Sequence, residues 1–364
     1  MIERSAVTEA GFESSFAACR VVFREGASGA VGPEAAGLGA ERVLLVCTPS
    51  LVSTVHAESV RASLGNLLVA QLSGVRPHVP SDLVESAVNL ARAHSVDLVA
   101  ALGGGSAIGL GKAVGFQAGI PLIAVPTTYA GSEMTAVLGI TDTARRQKRT
   151  VSDPRIMARV VLYDPVVTLC LPGMPTAATG INALAHCVEA AYSPTAAPFV
   201  APVALEAIST IRATLPRCVA AGADLGARTA MLRASFLAGF SMAHAGMGVH
   251  HGLCHSLGGM FGISHGVANA IVLPHAMRYN ADAVAPELAR IGEAMGARSG
   301  ADAGAAVFDL IATLGLPQRL RDVGLREDDL AAVAADALAS PAVAANPKPV
   351  RNQDELLGIL RSAW

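Results

Sequence analysis

Aromatic side chains are almost missing from this chain. Only 4% of its 364 residues are Phe, Tyr or Trp, and the one tryptophan is the last residue. With few large rings to fill space, the interior has to be closed by small aliphatic side chains and close helix contacts. Charge is also sparse, at 15% of residues and a formal net charge of −2, so there is no basic footprint for nucleic acid. No apolar stretch runs unbroken for the ~18 residues that a membrane-crossing helix needs. The start, Met1-Ile2-Glu3-Arg4-Ser5, lacks the basic-then-apolar order of a secretory signal. None of the six cysteines (Cys19, Cys47, Cys170, Cys187, Cys218, Cys254) forms a Cys-x-x-Cys pair, so they read as reduced thiols of a cytoplasmic protein. What is abundant is apolar residue, 52% of the chain, enough for a large interior that at this length divides naturally into two domains.

The first half alternates strand and helix signals. Arg42–Cys47 is an unbroken apolar strand followed by a helix opening at Thr48–Ser50, and Leu67–Leu72 is a second strand. Pro80-Ser81-Asp82 opens a helix with apolar positions at Leu83, Ala87, Leu90 and Ala91. Val96–Leu102 is a third strand, Ala107–Gly115 a helix and Pro121–Val125 a fourth strand, while the polar cluster Arg145–Arg149 suggests a hairpin within Thr141–Leu162. Strands separated by helices predict a parallel, doubly wound sheet covered on both faces, with ligands outside the carboxyl ends of its strands. From about Asp164 strand signals stop and Ala-rich helices run to Trp364. The expected division is an α/β Rossmann-like nucleotide domain over residues 1–165 and an all-α catalytic domain over 166–364.

Gly103-Gly104-Gly105-Ser106 lies between a buried strand and a helix. Without Cβ atoms the backbone can approach a pyrophosphate, and the helix start offers free N–H groups and a favourable dipole. A plain turn would use one or two glycines, so three in a row favour phosphate. The spacing is not the G-x-G-x-x-G fingerprint. After the first strand, where an acidic residue would hold the ribose 2′-hydroxyl of NAD, stands Thr48-Pro49.

Six of the ten histidines fall between His244 and His275. Asn182 and His186 are four apart, as are His251 and His255, so each pair shares a helix face; His265 follows after a glycine-rich turn at Leu257–Ile263. Such a set suits a mononuclear site of nitrogen and oxygen ligands. His56, His78, His94, His244 and His275 read as ordinary surface or core residues, and His250, beside His251, points elsewhere on its helix.

These blocks together resemble the iron-containing alcohol dehydrogenase family, most closely its maleylacetate reductase branch. The resemblance spans nearly the whole chain and rests on Gly103–Ala113, Val125–Met134, Gly180–Glu189, His250–Gly258, Ser264–Ala270 and Ala345–Pro349. It implies that the metal positions of metal-dependent members fall on Asn182, His186, His251 and His265, with His255 near the nicotinamide. Gly103, Gly104, Gly105, Ser106, Thr127, Thr128, Ser132, Lys148 and Leu171, with Thr48, lie in blocks that contact the dinucleotide. Two departures stand out: Asn182 replaces the usual Asp, and Gly109 an acidic residue of the glycine-loop helix. A neutral amide is a poorer ligand than a carboxylate, so no metal is expected. The imidazoles His186, His251 and His265, oriented by Asn182, would then stabilise the enolate formed by hydride addition to a conjugated dicarboxylate, with His255 as proton donor. Tyr129 and Lys148 are the candidates for gripping the substrate. The implied activity is NAD(P)H-dependent reduction of maleylacetate by a homodimer. The rivals are a metal-dependent alcohol or aldehyde oxidoreductase of the same fold and an inactive nucleotide-binding scaffold.

The uncharged Thr48-Pro49 removes a repulsion against a 2′-phosphate, so NADPH is expected to serve alongside NADH. The two kcat/KM values should lie within ~1000-fold of each other; a wider gap would contradict this reading of Thr48.

Overall fold

The computed structural model describes residues 16–143, 147–297 and 303–364. Six strands form one parallel sheet: β1 (Arg20–Phe23), β2 (Val43–Cys47), β3 (Leu68–Leu72), β4 (Leu98–Gly103), β5 (Leu122–Pro126) and β8 (Val160–Tyr163). Their spatial order is β1-β8-β5-β4-β2-β3. The chain builds outward from β2 to β3, then returns to place β4 on the other side of β2. The topological switch point therefore lies between β2 and β4, where ligands of open α/β sheets bind. β6 (Val137–Asp142) and β7 (Gln147–Ser152) form a hairpin at the polar cluster, as expected, but it starts at Val137, before the Thr141–Leu162 segment in which it was expected.

Both faces of the sheet are buried, which explains why its central strands read as continuous apolar runs rather than alternating ones. Leu45, Cys47, Leu98 and Ala100 pack under α1 (Val31–Gly37) and α2 (Val55–Leu64). Leu44, Val46, Val99 and Ala101 pack under α3 (Ser81–Ala93) and α4 (Gly105–Ala118). The sequence reading did not find the edge strand β1 or the strand β8, both only four residues long. The expected helix at Thr48–Ser50 is a single 3-10 turn; the helix proper starts at Val55, with the Thr54 hydroxyl accepting from the Ala57 N–H.

Beyond Asp164 every described regular element is helical. These are α5 (Gly173–Tyr192), α6 (Val200–Ala220), α7 (Leu225–Ala243), α8 (Val249–Phe261), α9 (His265–Asn280), α10 (Ala285–Ala294), α11 (Ala303–Thr313), α12 (Leu330–Leu338), α13 (Pro341–Ala344) and α14 (Gln353–Ser362). The architecture is a Rossmann-like doubly wound domain followed by an all-α domain. Its main core runs without a break from the sheet into α5, α6 and α7, while α8, α9, α12 and α14 enclose a second core. The glycine-rich turn expected at Leu257–Ile263 is shorter than that, because α8 continues to Phe261 and only Gly262 turns the chain, at φ +68°.

Small residues set the helix spacing. A Cβ on Gly266 would sit 2.6 Å from the Ala178 carbonyl oxygen of α5, so α9 packs backbone to backbone there. Gly266→Ala has no flexible side chain to push aside and must move α9, which begins at His265. Overpacking of this kind costs about 1–3 kcal/mol, so the urea midpoint should fall. A wild-type midpoint would mean that α9 backs away freely.

Candidate active site

The carboxyl ends of β2, β4 and β5 come together through two backbone bonds. The Thr48 N–H donates to Leu102 O and the Thr127 N–H to Gly103 O, both at 3.0 Å. This seats Thr48, the glycine turn and Thr127–Thr128 around the switch point. Gly103 has φ +153°, and a Cβ there would lie 2.0 Å from Thr48 Oγ1, so no other residue fits. Gly104 caps α4, whose first N–H groups have no partner within the helix and attract an anion. The Thr128 hydroxyl is buried beside it with no hydrogen-bond partner among the described residues. An open backbone cradle, a helix start and an orphaned hydroxyl suit a phosphate group.

The loop after β5 is held from beneath by a residue the sequence reading passed over. Lys112 of α4, 1% exposed, donates from Nζ to the carbonyls of Ser132, Thr135 (2.7 Å) and Val137 (3.0 Å) and to Thr135 Oγ1 (3.1 Å). Ser132 thus has its carbonyl fixed, with its hydroxyl 3.4 Å from the same ammonium. Tyr129 is fully buried and its hydroxyl accepts from Arg228 Nη1 at 3.1 Å. The same guanidinium donates to Thr176 Oγ1 (2.9 Å), Leu171 O (2.9 Å) and Gly222 O (3.0 Å). Tyr129 was expected to grip substrate; its hydroxyl is instead committed to this clasp. Leu171 contributes its carbonyl to the same clasp. The backbone of Lys148 pairs with Thr141 in the hairpin; its side chain lies outside the described residues.

Gly109 has a local explanation. A Cβ at that position would be 2.8 Å from Val79 Cγ2, and Val79 follows His78 in a left-handed pair, φ 51° and 63°. This unusual conformation for a β-branched residue presses Val79 into the space that an acidic side chain on α4 would fill.

The histidines converge as their spacing predicted. α5 supplies Asn182 and His186, α8 supplies His251 and His255, and α9 opens with His265. One ring nitrogen from each of His186, His251 and His265 lies within 4.8 Å of the others. The His186 and His251 rings stack at 4.9 Å between centroids, and His255 stacks on His265 at 5.6 Å. Asn182 Nδ2 donates to Ala130 O at 3.1 Å, tying α5 to the loop after β5. Asn182 Oδ1, His186 Nδ1 and His251 Nε2 are buried with no hydrogen-bond partner among the described residues. Burial, reinforced by the neighbouring imidazoles, holds the His186 pKa well below its ordinary value, so it is a neutral ring with a lone pair to offer. His250 lies behind His251: it is fully buried, contacts Asn269 O and His251 Nδ1, each at 3.2 Å, and burial pushes its pKa down to about 4.

A doubly wound sheet with a glycine cradle at its switch point, facing a histidine cluster on a helical domain, defines an oxidoreductase-type fold. The chain matches the model described as iron-containing alcohol dehydrogenase over residues 18–165, and the C-terminal model of the Fe-containing alcohol dehydrogenase family over 176–364. It therefore belongs to the iron-containing alcohol dehydrogenase family. Among its relatives, maleylacetate reductase 2 of Cupriavidus pinatubonensis is 39% identical over 97% of this chain and 96% of its own. A maleylacetate reductase of a Pseudomonas strain is 37% identical over 95% of each. The crystal structure of maleylacetate reductase from Agrobacterium tumefaciens superposes with a TM-score of 0.88 at 36% identity, covering 97% of this chain and 98% of that one.

These findings overturn the expectation of no metal. The family is one of iron-containing enzymes, and His186, His251 and His265 bring a possible ligand atom each to within 4.8 Å of one another. Three orphaned buried atoms, Asn182 Oδ1 among them, are what a cation would satisfy. Weighing Asn182 alone gave the wrong answer, because an amide oxygen is still an oxygen donor and the three rings supply the rest of the set.

A chelator-treated sample should therefore gain thermal stability when Zn²⁺ or Fe²⁺ is added, by about 2.7 kcal/mol at a hundredfold excess over Kd. His186→Ala should abolish that gain. An unshifted Tm in the wild-type chain would show that the three rings do not hold an ion.

Proposed function

We propose that the chain is a maleylacetate reductase, using NADH or NADPH to reduce the conjugated C=C bond of maleylacetate to 3-oxoadipate. The observation that carries this reading is the facing of two half-sites: a phosphate cradle at the β2–β4 switch point and a buried imidazole cluster on α5, α8 and α9. They are joined by the Asn182–Ala130 bond between α5 and the loop after β5. Relatives named maleylacetate reductase at 36–39% identity over nearly full length support the choice of substrate. We take residues 1–165 as the nucleotide domain and 166–364 as the catalytic domain, working as a cytoplasmic homodimer.

In this reading Thr48, Gly103–Ser106, Thr127, Thr128 and Ser132 seat the dinucleotide, with Lys148 and Leu171 at the margin. His186, His251 and His265, with Asn182 Oδ1, would hold the divalent ion, which when bound supplies Lewis-acid polarisation of a ketone oxygen. The chain itself fixes the geometry. The stacked rings of His186 and His251 form a rigid wall, and burial keeps water from that end of the pocket. Hydride moves from the reduced nicotinamide to the alkene carbon β to the ketone, leaving an enolate; the α carbon then takes a proton. In this reading His255, partly accessible and stacked on His265, supplies it.

The second reading, a metal-dependent alcohol or aldehyde oxidoreductase, is favoured by the same imidazole cluster. The two part on substrate. Oxidation of NADH by the ion-loaded protein should be at least ~100-fold faster in kcat/KM with maleylacetate than with short aldehydes. The reverse order would establish the second reading, and binding of NADH with no turnover of any of them would leave a scaffold.

A further inference from the structure

We infer that Glu189 is the positioning residue of the imidazole cluster: its buried carboxylate locks His251 in the tautomer that bares Nε2 to the pocket. The inference rests on the proposed use of the cluster but not on the identity of the substrate.

Glu189 lies on α5 one turn beyond His186, on the same face, and is 1% exposed. Oε2 accepts from the Gly248 N–H at 3.0 Å and Oε1 from the His250 backbone N–H at 3.0 Å, at the first turn of α8. His251 Nδ1 lies 2.6 Å from Oε2. With a backbone donor on each oxygen, the group is held as a carboxylate, an acceptor only. His251 must then carry its proton on Nδ1.

The neighbouring ring leads to the same tautomer. His250 Nε2 faces the Asn269 carbonyl at 3.2 Å, an acceptor, so Nε2 holds the His250 proton and Nδ1 is bare. That bare nitrogen lies 3.2 Å from His251 Nδ1. Both groups around His251 Nδ1 are thus acceptors, and one proton between them is required. Nε2 is left as a buried lone pair without a partner among the described residues, the nitrogen free to join His186 and His265 in their cluster.

Glu189, His250 and His251 also gather within 4.8 Å as a cluster of their own. It is a support shell and not a second ion site, because all three of its strong contacts are already spent on protein donors. The arrangement returns to the pocket the negative charge that Asn182 does not provide, through one imidazole: a carboxylate behind a ring nitrogen raises the basicity of the other.

The test needs no substrate. In the full-length chain labelled with ¹⁵N-histidine and stripped of metal, His251, assigned by the signal lost in His251→Asn, should show the Nδ1–H tautomer. Glu189→Gln presents an amide N–H to that nitrogen and should switch it to Nε2–H. Affinity for zinc alone, measured by competition with a chelating dye, should fall ~10–100-fold; Glu189→Asp should recover most of it. An Nε2–H tautomer in the wild-type chain overturns the inference even if the variants fail to fold. So does unchanged zinc affinity in a folded Glu189→Gln. Wild-type tautomer and affinity as expected, with no turnover of maleylacetate, would sink the substrate assignment and leave Glu189 in its role.

Discussion

Helix α5 is apolar on nearly every side and enclosed by α6, α7 and α9, yet it carries Asn182, His186 and Glu189 along one face. Polar groups taken out of water in this way must find partners. The fold around the pocket is organised by how each of the three is satisfied. Asn182 takes the Ala130 carbonyl and so fixes the loop after β5. Glu189 takes the amide groups at the start of α8 and so fixes the position of His251. His186, between them, keeps Nδ1 without a partner among the described residues. One helix thereby sets the distance between the glycine turn after β4, through the loop after β5, and the histidine cluster on α5, α8 and α9.

The amide at 182 has a consequence that its ligand strength alone does not convey. Its Nδ2 donates to a backbone carbonyl, and an aspartate there could only oppose that carbonyl with a second acceptor. The asparagine therefore combines a donor committed to the loop with a buried oxygen that has no hydrogen-bond partner among the described residues. With a neutral group at this point, a divalent ion would keep more of its positive charge, which suits a dianionic substrate better than a neutral alcohol.

Much of this was legible in the sequence, and the remainder follows a physical pattern. The central strands and the glycine turn declared themselves because buried parallel strands are unbroken apolar runs punctuated by glycine. The i,i+4 spacing of Asn182–His186 and of His251–His255 puts each pair on one helix face. The four-residue strands β1 and β8 escaped because so short a run carries no period. Glu189 lay one turn past His186 on the same face and could have been found by extending the pair to i+7. Lys112 and Arg228 gave no signal at all. Their partners are backbone carbonyls and hydroxyls 6 to 99 residues away, and the tertiary fold alone selects which ones. The ion was misjudged because one residue's charge was weighed without the shell behind it.

Those two buried cations also show how the interior tolerates charge with so few charged residues. The Arg228 guanidinium has no ion pair among the described residues and is met by neutral acceptors from Tyr129, Leu171, Thr176 and Gly222. Lys112 is met in the same way: burial pushes its pKa down to about 7, opposed by nearby Glu133, whose own carboxyl burial pushes up and which accepts from the Tyr163 hydroxyl at 2.8 Å. Both hold the segment from Tyr129 to Val137, between the sheet and the helical domain. A cation ringed by carbonyls pulls several strands of backbone to one point, whereas an ion pair would join only two side chains. The loop that seats the proposed dinucleotide is thus rigid on its protein side, and its unpartnered Thr128 hydroxyl and the glycine cradle are left for a ligand.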